Sequence, residues 1–416
     1  MTRTTFPTTG RPRAELLDAL EAMREGDADW RGGRVPLYVF GATEDVAEIG
    51  KAAFNAYFTE NALGGKRAFL SVRRMEEEVL GIGLDLFHAP EGASGTLTGG
   101  GTESILLAVK SARDMQRARR GGPHAANMVL PESAHPAFDK AAVLMDIAVR
   151  RVPVGADFRA DAAAMAAAID AGTILLVGSA PCFPYGVVDD IATLGEVAAR
   201  AGIALHVDAC VGGYVANFAR ELGAGFGPFD FAVPAVVSLS ADLHKFGFCP
   251  KPASTVFFRD AARAAASGFD LDVWPNGRFA TNTFIGTRPG GAVAAAWAVL
   301  HFLGREGYLE ITRRLIAMRR DYEDGIAGIP GLAVLGRPDL SILAVGSSED
   351  ALDMFKVADG MAARGWLPGL LRQPRALHSM MSLLHEAARP AWLADVSAAV
   401  TEARGAAAPA RQQAVY

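Results

Sequence analysis

Between Asn127 and Asp208 the chain repeats one pattern: a short apolar-rich run, a stretch with helical spacing, then another run. The runs are Asn127–Leu130, Val149–Val154, Thr173–Val177 and Ile203–Val207. The stretches between them are a helix near Pro136–Met145, an Ala-rich helix over Ala160–Ala171 and a helix over Ile191–Ala201. Strands joined through helices lie parallel, and a parallel sheet needs helices on both faces. The pattern therefore predicts an α/β fold built on a mostly parallel sheet.

Before this region the spacing predicts helices over 11–30, 43–60 and Val72–Phe87. Pro12 suits a first turn, and Leu16, Leu17 and Leu20 share a face. Beyond Gly290, Ala292–Leu303 and Tyr308–Ile326 read as long helices. Leu332–Leu335 and Leu340–Val345 read as strands, and 350–364 and 391–404 as helices. A chain of 416 residues exceeds one small core. The expected division is an N-terminal helical segment (1–60), a large α/β domain (61–300) and a small C-terminal α+β domain (301–416). Ala406–Tyr416 reads as a loose tail.

Composition excludes several classes. Lys and Arg number 41 against 46 Asp and Glu, a net charge of −5, so nothing draws the chain to nucleic acid or an anionic membrane. Its three cysteines, Cys182, Cys210 and Cys249, are widely spaced and form no metal pattern or disulfide framework, which suits a reducing cytoplasm. The polar, Thr/Pro-rich stretch Met1–Arg13 lacks the apolar core of a signal peptide. No apolar run of about 18 residues is present to span a membrane.

Four segments carry chemistry. In Thr98-Gly-Gly-Gly-Thr-Glu103 three glycines open the backbone to a ligand, and a helix follows whose first N–H groups are free. That suits a phosphate, although a tight strand-to-helix turn has the same look; no Gly-Lys-Ser/Thr follows, so it is not a P-loop. In His206-Val-Asp208-Ala-Cys-Val-Gly-Gly213 an Asp ends a strand, where α/β sheets place ligands. Such a carboxylate can hold a pyridinium nitrogen protonated, as the electron sink of pyridoxal 5'-phosphate (PLP) requires; a helix-capping Asp is the other reading. In Ser240-Ala-Asp-Leu-His-Lys245-Phe-Gly-Phe-Cys-Pro250-Lys-Pro252 an apolar setting can seat a lysine of lowered pKa that forms Schiff bases, where a lone lysine is otherwise a solvated charge. His135, before Pro136, can present its ring to a flat cofactor or serve the structure alone. The order of the four across an α/β pattern points to PLP more strongly than any one of them.

These residues resemble the fold-type I PLP enzymes of the group II decarboxylase superfamily, and within it the sphingosine-1-phosphate lyase family. The likeness runs from about Tyr57 to His385. It is carried by Gly100-Gly-Thr-Glu-Ser-Ile-Leu-Leu107, Ser133-Ala-His-Pro-Ala-Phe-Asp-Lys-Ala141, His206–Gly213, Phe229–Pro234 with Ser238–Lys245, and Gly286-Thr-Arg-Pro-Gly-Gly291. The resemblance implies that Lys245 carries PLP as a Schiff base, Asp208 pairs with the pyridine nitrogen and His135 stacks on the ring. It implies that Gly101 and Thr102 bind the cofactor phosphate, with His244 nearby. The Gly286–Thr287 turn would reach the site of a second subunit, giving a homodimer with shared sites, and Lys251 would lie near a substrate phosphate.

The chain departs from the family at several positions. Asn61-Ala-Leu-Gly-Gly-Lys-Arg67 lacks a histidine found there in lyases, leaving Lys66 or Arg67 as the cations. Phe246, Phe248 and Phe279 replace tyrosines, and Tyr185 stands where many relatives carry His. The implied reaction is retro-aldol cleavage of a phosphorylated, amphiphilic amine, with Lys245, Lys251 or Tyr185 moving protons. The rival within the fold is an amino-acid decarboxylase, with Arg372 and Arg375 as a carboxylate clamp. The rival from another class is a non-catalytic scaffold of the same fold, against which intact Lys245, Asp208 and His135 argue.

Overall fold

The computed structural model describes residues 3–406 and 408–414. Its main sheet comprises β1 (Ser94–Thr98), β2 (Ala126–Pro131), β3 (Ile147–Val152), β4 (Thr173–Ser179), β5 (Ala204–Asp208), β6 (Val236–Ala241) and β7 (Ser254–Phe258), in the order β1-β7-β6-β5-β4-β2-β3. β3, β2, β4, β5 and β6 run parallel. β7 is antiparallel to both β6 and β1. The fold is the mostly parallel α/β class that the repeated pattern predicts.

β1, β6 and β7 escape the sequence reading for a physical reason. β6 reads Val-Val-Ser-Leu-Ser-Ala, yet its serines are buried. The Oγ atoms of Ser238 and Ser240 lie 2.9 and 3.2 Å from the two ring nitrogens of His206 on β5. Polar groups that satisfy each other can occupy a core strand, and they hide it from any search for apolar runs.

Helices α1 (Arg13–Ala22), α2 (Glu44–Ala56) and α3 (Leu70–Leu86) precede the sheet. α4 (Gly101–Arg120), α5 (Ala137–Met145), α6 (Ala162–Ala167), α7 (Ile191–Ala201) and α8 (Gly213–Glu221) follow its successive strands, and α9 (Ala261–Ser267) follows β7. α1 is shorter than the expected 11–30. It buries none of its residues, and Leu16, Leu17 and Leu20 stay exposed. The Ala-rich helix is also shorter than expected. The Asp161 side chain caps it by accepting from Ala163 and Ala164. Asp170 lies outside it, because its carboxylate accepts from Asn127 Nδ2 at 2.7 Å and from the Gly172 N–H at 2.8 Å.

After a hairpin of β8 (Phe269–Leu271) and β9 (Phe279–Thr281), α10 (Gly290–Ala327) runs from the main sheet to a second one. It breaks at Gly304, where φ is 53° and ψ −173°, so the two expected helices meet at that glycine. The second sheet has the order β10-β11-β13-β12, from β10 (Leu332–Val334), β11 (Ile342–Ser347), β12 (Gly369–Arg372) and β13 (Arg375–Met380), all antiparallel. α11 (Met354–Ala363) and α12 (Arg389–Gly405) pack beside it.

Two expectations need correction here. Residues 34–41, assigned to a helical segment, run beside the second sheet: Met380 N donates to Pro36 O at 2.7 Å and Leu367 N to Arg34 O at 2.9 Å. The tail is not loose where it is described: the N–H groups of Arg411 and Gln412 donate to the Asp359 carboxylate at 2.8 and 2.9 Å. Ala407, Val415 and Tyr416 of that expected tail lie outside the described residues. Among the described residues no helix is long and apolar enough to cross a membrane.

Candidate active site

The carboxyl ends of β2, β4, β5 and β6 converge on a cavity of about 720 Å³. Gly101, Thr102, His135, Asp208, His244, Lys245 and Lys251 all line it. Residues spread over 150 positions meet there because parallel strands deliver their carboxyl ends to one edge.

The glycine turn fills the edge between β1 and α4. The Gly99 N–H donates to Glu103 Oε2 at 2.6 Å. The other oxygen of Glu103 accepts from the N–H groups of Phe284 and Ile285 at 2.8 and 3.2 Å. One carboxylate thus ties the turn to the loop before α10. Thr98 Oγ1, Ser104 Oγ and Ser254 Oγ form a buried hydroxyl chain with links of 2.7 and 2.8 Å.

At the end of β5, Asp208 is buried and its Oδ1 accepts from the Cys210 N–H at 3.0 Å. His135 sits on the turn after β2. That turn is pinned by Arg151 of β3, whose Nη1 donates to the carbonyls of Pro131, Glu132 and Ala134, each at 3.1 Å, and which pairs with Asp139. His135 Nδ1 accepts from the Ala137 N–H at 3.1 Å. Burial holds the imidazole below its ordinary pKa, against the pull of Asp208. The Phe183 ring meets it edge-on with centroids 5.9 Å apart, and β13 supports that ring through His378, 4.7 Å away.

Lys245 departs from expectation. Its Nζ lies 3.0 Å from Oδ2 of Asp242, whose side chain is 1% exposed. Burial disfavours the ammonium, but the Asp242 carboxylate outweighs it, so the pKa is raised rather than lowered. Burial likewise works against the Asp242 carboxylate, and the charge of Lys245 overcomes it and keeps the pKa low. Lys251 is shifted down, by burial first and then by repulsion from Lys245.

Other predicted residues do not reach the cavity. Tyr185 is buried, packs its ring at a tilt against Phe158 with centroids 4.5 Å apart, and donates its hydroxyl to the Gln373 carbonyl at 3.0 Å. Phe246 and Phe248 face the core, against Phe40 at 5.0 Å and Tyr308 at 6.4 Å, so hydroxyls there would not meet a ligand. Phe279 lies on the β8–β9 hairpin beside Trp274. Arg375 pairs with Asp353 at 2.9 Å and Arg372 points to the tail carbonyl of Ala414. Gly286 and Lys66 line a separate depression of about 300 Å³, and Thr287 is exposed.

Asp242, Glu103 and Lys140 also line the cavity. The sequence signals them only by position, Asp242 three residues before Lys245, Glu103 directly after Thr102 and Lys140 five residues after His135.

The residues fit PLP. Gly101 opens α4, whose first N–H groups have no carbonyl to bind within the helix. A Cβ on Gly101 would stand 2.9 Å from both Asp242 Oδ2 and Cys210 Sγ, so only a bare backbone leaves the cradle open. An anion site, a buried amine and a buried carboxylate thus share one cavity.

Comparison with known proteins agrees. Residues 71–330 match the model of the pyridoxal-dependent decarboxylase conserved domain, and the chain belongs to that family of PLP enzymes. Within it, the particular likeness is to sphingosine-1-phosphate lyases. The lyase of Oryza sativa subsp. japonica is 39% identical over 406 residues, covering 96% of this chain and 74% of its own. The solved structure of the Burkholderia pseudomallei lyase superposes with a TM-score of 0.92 at 35% identity, covering 97% of this chain and 94% of that one. A probable L-aspartate decarboxylase of Pyrococcus furiosus is 33% identical over 362 residues, covering 87% of this chain and 94% of its own.

Proposed function

We propose that this protein is a PLP-dependent carbon–carbon lyase. It cleaves a phosphorylated sphingoid base between C2 and C3, giving a long-chain aldehyde and phosphoethanolamine. The observation that carries the substrate class is the rim of the cavity. Its exposed lining residues are Lys140, Leu144, Lys251, Pro252, Phe284 and Ile285. Two cations beside four apolar side chains suit an anionic head group attached to a long chain. Among the described residues neither lysine has an ion-pair partner, whereas Glu103 and Asp242 on the same wall are committed.

PLP, when bound, supplies an electron sink for the pair released as the bond breaks. The protein's residues do the rest. Lys245 would hold the cofactor covalently through its amine and yield that place to the substrate amine. Asp208 would keep the ring nitrogen protonated, and His135 would support the ring. Gly101, Thr102 and His244 would hold the phosphate. Lys251 lies on the head-group side and, with its pKa shifted down, is the candidate to move the proton of the 3-hydroxyl.

A homodimer follows from the same reading. Gly286 and Thr287 do not line their own chain's cavity, and Gly286 shares a depression with Lys66. The resemblance assigns this turn to a cofactor site, and its place outside its own chain's cavity suits the site of a second copy. The charge, the cysteine usage and the lack of a membrane-crossing helix among the described residues suit the cytoplasm.

The test is to incubate PLP-loaded protein with a phosphorylated long-chain sphingoid base and to seek both products by mass spectrometry. Both should appear, and Lys245→Ala should abolish them together with the visible absorbance of lysine-bound cofactor. Carbon dioxide from free amino acids, with neither product, would favour the decarboxylase reading that the Pyrococcus furiosus relative keeps in view.

A further inference from the structure

Lys245 and Asp242 form an ion pair that the chemistry above does not use. The pair is fixed by the backbone. Asp242 ends the β6 segment with its N–H 3.3 Å from the Cys210 carbonyl, and the turn closes with Lys245 N 3.4 Å from Asp242 O. Asp242 Oδ2 and Lys245 Nζ are 3.0 Å apart, with side chains 1% and 16% exposed, so water screens the attraction little. Every element packed around the ammonium adds a charge or a titratable group. Its own loop adds Asp242, His244 and Lys251, the end of β5 adds Asp208 and Cys210, and the turn before α5 adds His135. Among the described residues, Asp242 is the one carboxylate in direct contact with it.

We infer that Asp242 is a positioning residue that keeps Lys245 an ammonium whenever its amine is free, and so makes attachment of the cofactor wait on loss of that proton. The inference rests on the PLP reading. Attachment joins the lysine nitrogen to the cofactor's aldehyde carbon and expels one water, and only an unprotonated amine can begin it. The ammonium must therefore first release one proton to solvent. In the opposite direction, when a substrate ammonium displaced the lysine from its protonated Schiff base, the two protons lost by the substrate nitrogen would pass to the departing lysine nitrogen, which would settle against Asp242 as an ammonium. Lys245 is then left charged, with a proton to return to the carbon that loses its partner. The electrostatics agree in sign, since the carboxylate raises the lysine above its ordinary pKa in spite of burial.

The experiment mixes PLP with cofactor-free protein in a stopped-flow instrument and follows the absorbance of lysine-bound cofactor from about pH 6 to about pH 9. Wild-type protein should attach PLP at a rate that climbs about tenfold per pH unit, because the neutral fraction limits it. Asp242→Asn should attach PLP about tenfold faster or more near neutrality, with its rate levelling off at lower pH. Asp242→Glu should restore the wild-type slope. If Asp242→Asn fails to fold, Asp242→Ser takes its place in the same comparison, and a flat wild-type rate across the range would by itself overturn the inference. Equal rates and equal slopes in wild type and Asp242→Asn would overturn it as well. Wild-type protein that attaches no PLP at any pH would overturn the cofactor reading and this inference with it, which distinguishes the two failures.

Discussion

Gly101→Ala is the sharpest test of the cradle's geometry. The added Cβ would meet Asp242 Oδ2 at 2.9 Å, Cys210 Sγ at 2.9 Å and Asp242 Oδ1 at 3.0 Å. Asp242 and Cys210 are both buried, and Asp242 is held by Lys245, so nothing yields cheaply. Overpacking of this kind costs about 1–3 kcal/mol. If the strain is relieved by pushing α4 out of the cradle, the same energy appears as weaker PLP binding, about 5- to 150-fold. Titration of cofactor-free protein with PLP, followed by absorbance, reads the affinity, and thermal denaturation of the same sample reads the stability. The control is the adjacent residue. A Cβ on Gly100 meets only His244 Cε1, at 3.7 Å, and Gly100 has extended backbone with φ 163°, so Gly100→Ala should leave the cofactor-free protein's thermal midpoint unchanged. Gly101→Ala protein with wild-type stability and PLP affinity within about twofold of normal would refute the reasoning.

Tyr185→Phe should lose about 1 kcal/mol of stability, for the bond to Gln373, and keep its turnover, because its hydroxyl is directed away from the cavity; a hundredfold fall in kcat would contradict that placement. Glu103→Ala removes the acceptor of three N–H groups, and hydrogen exchange at Phe284 and Ile285 should accelerate by about 10- to 100-fold. Stability should fall as pH drops from about 6.5 towards 4. Burial depresses His206 and His378 to about 4, so the unfolded chain binds their protons first, at a cost of about 3 kcal/mol each. Asp189 acts in the opposite sense: burial raises it to about 6, and its protonation below that value favours the folded state, offsetting about one of the two losses. A thermal midpoint that stays level across this window would contradict the balance.

The parts of the fold legible in the sequence are those whose burial is apolar. β2, β4 and β5 announce themselves as apolar runs, and α7 as an amphipathic stretch capped by Asp190 and closed by Gly202 at φ 65°. β6 stays hidden because its serines pair with His206 inside the core. The β12–β13 hairpin stays hidden because its four-residue strand is short and its turn carries charges. At the site, the order of the motifs points to Gly101, His135, Asp208 and Lys245, and the structure brings all four to one cavity. The charge state of Lys245 is not legible in the same way. It depends on a carboxylate three residues earlier that curls back onto it, and a sequence gives no sign of which way a turn's side chains face. The resemblance carries Tyr185 into the site, and packing against Phe158 takes it out again.

The antiparallel strand β7 acts as a ruler. It lies between β1, which ends at the phosphate turn, and β6, which leads to Lys245; Thr98 stands opposite Ser254, and Ala241 opposite Thr255. On the proposed reading, the anchors for the two ends of the cofactor follow strands that lie two apart in a hydrogen-bonded ladder, about 10 Å. A gauge set by the sheet does not stretch, so a cofactor spanning both anchors would meet a fixed length. A vitamer lacking the phosphate would leave one mark of the ruler unread, and adding free phosphate alongside it would restore the missing contact without restoring the length.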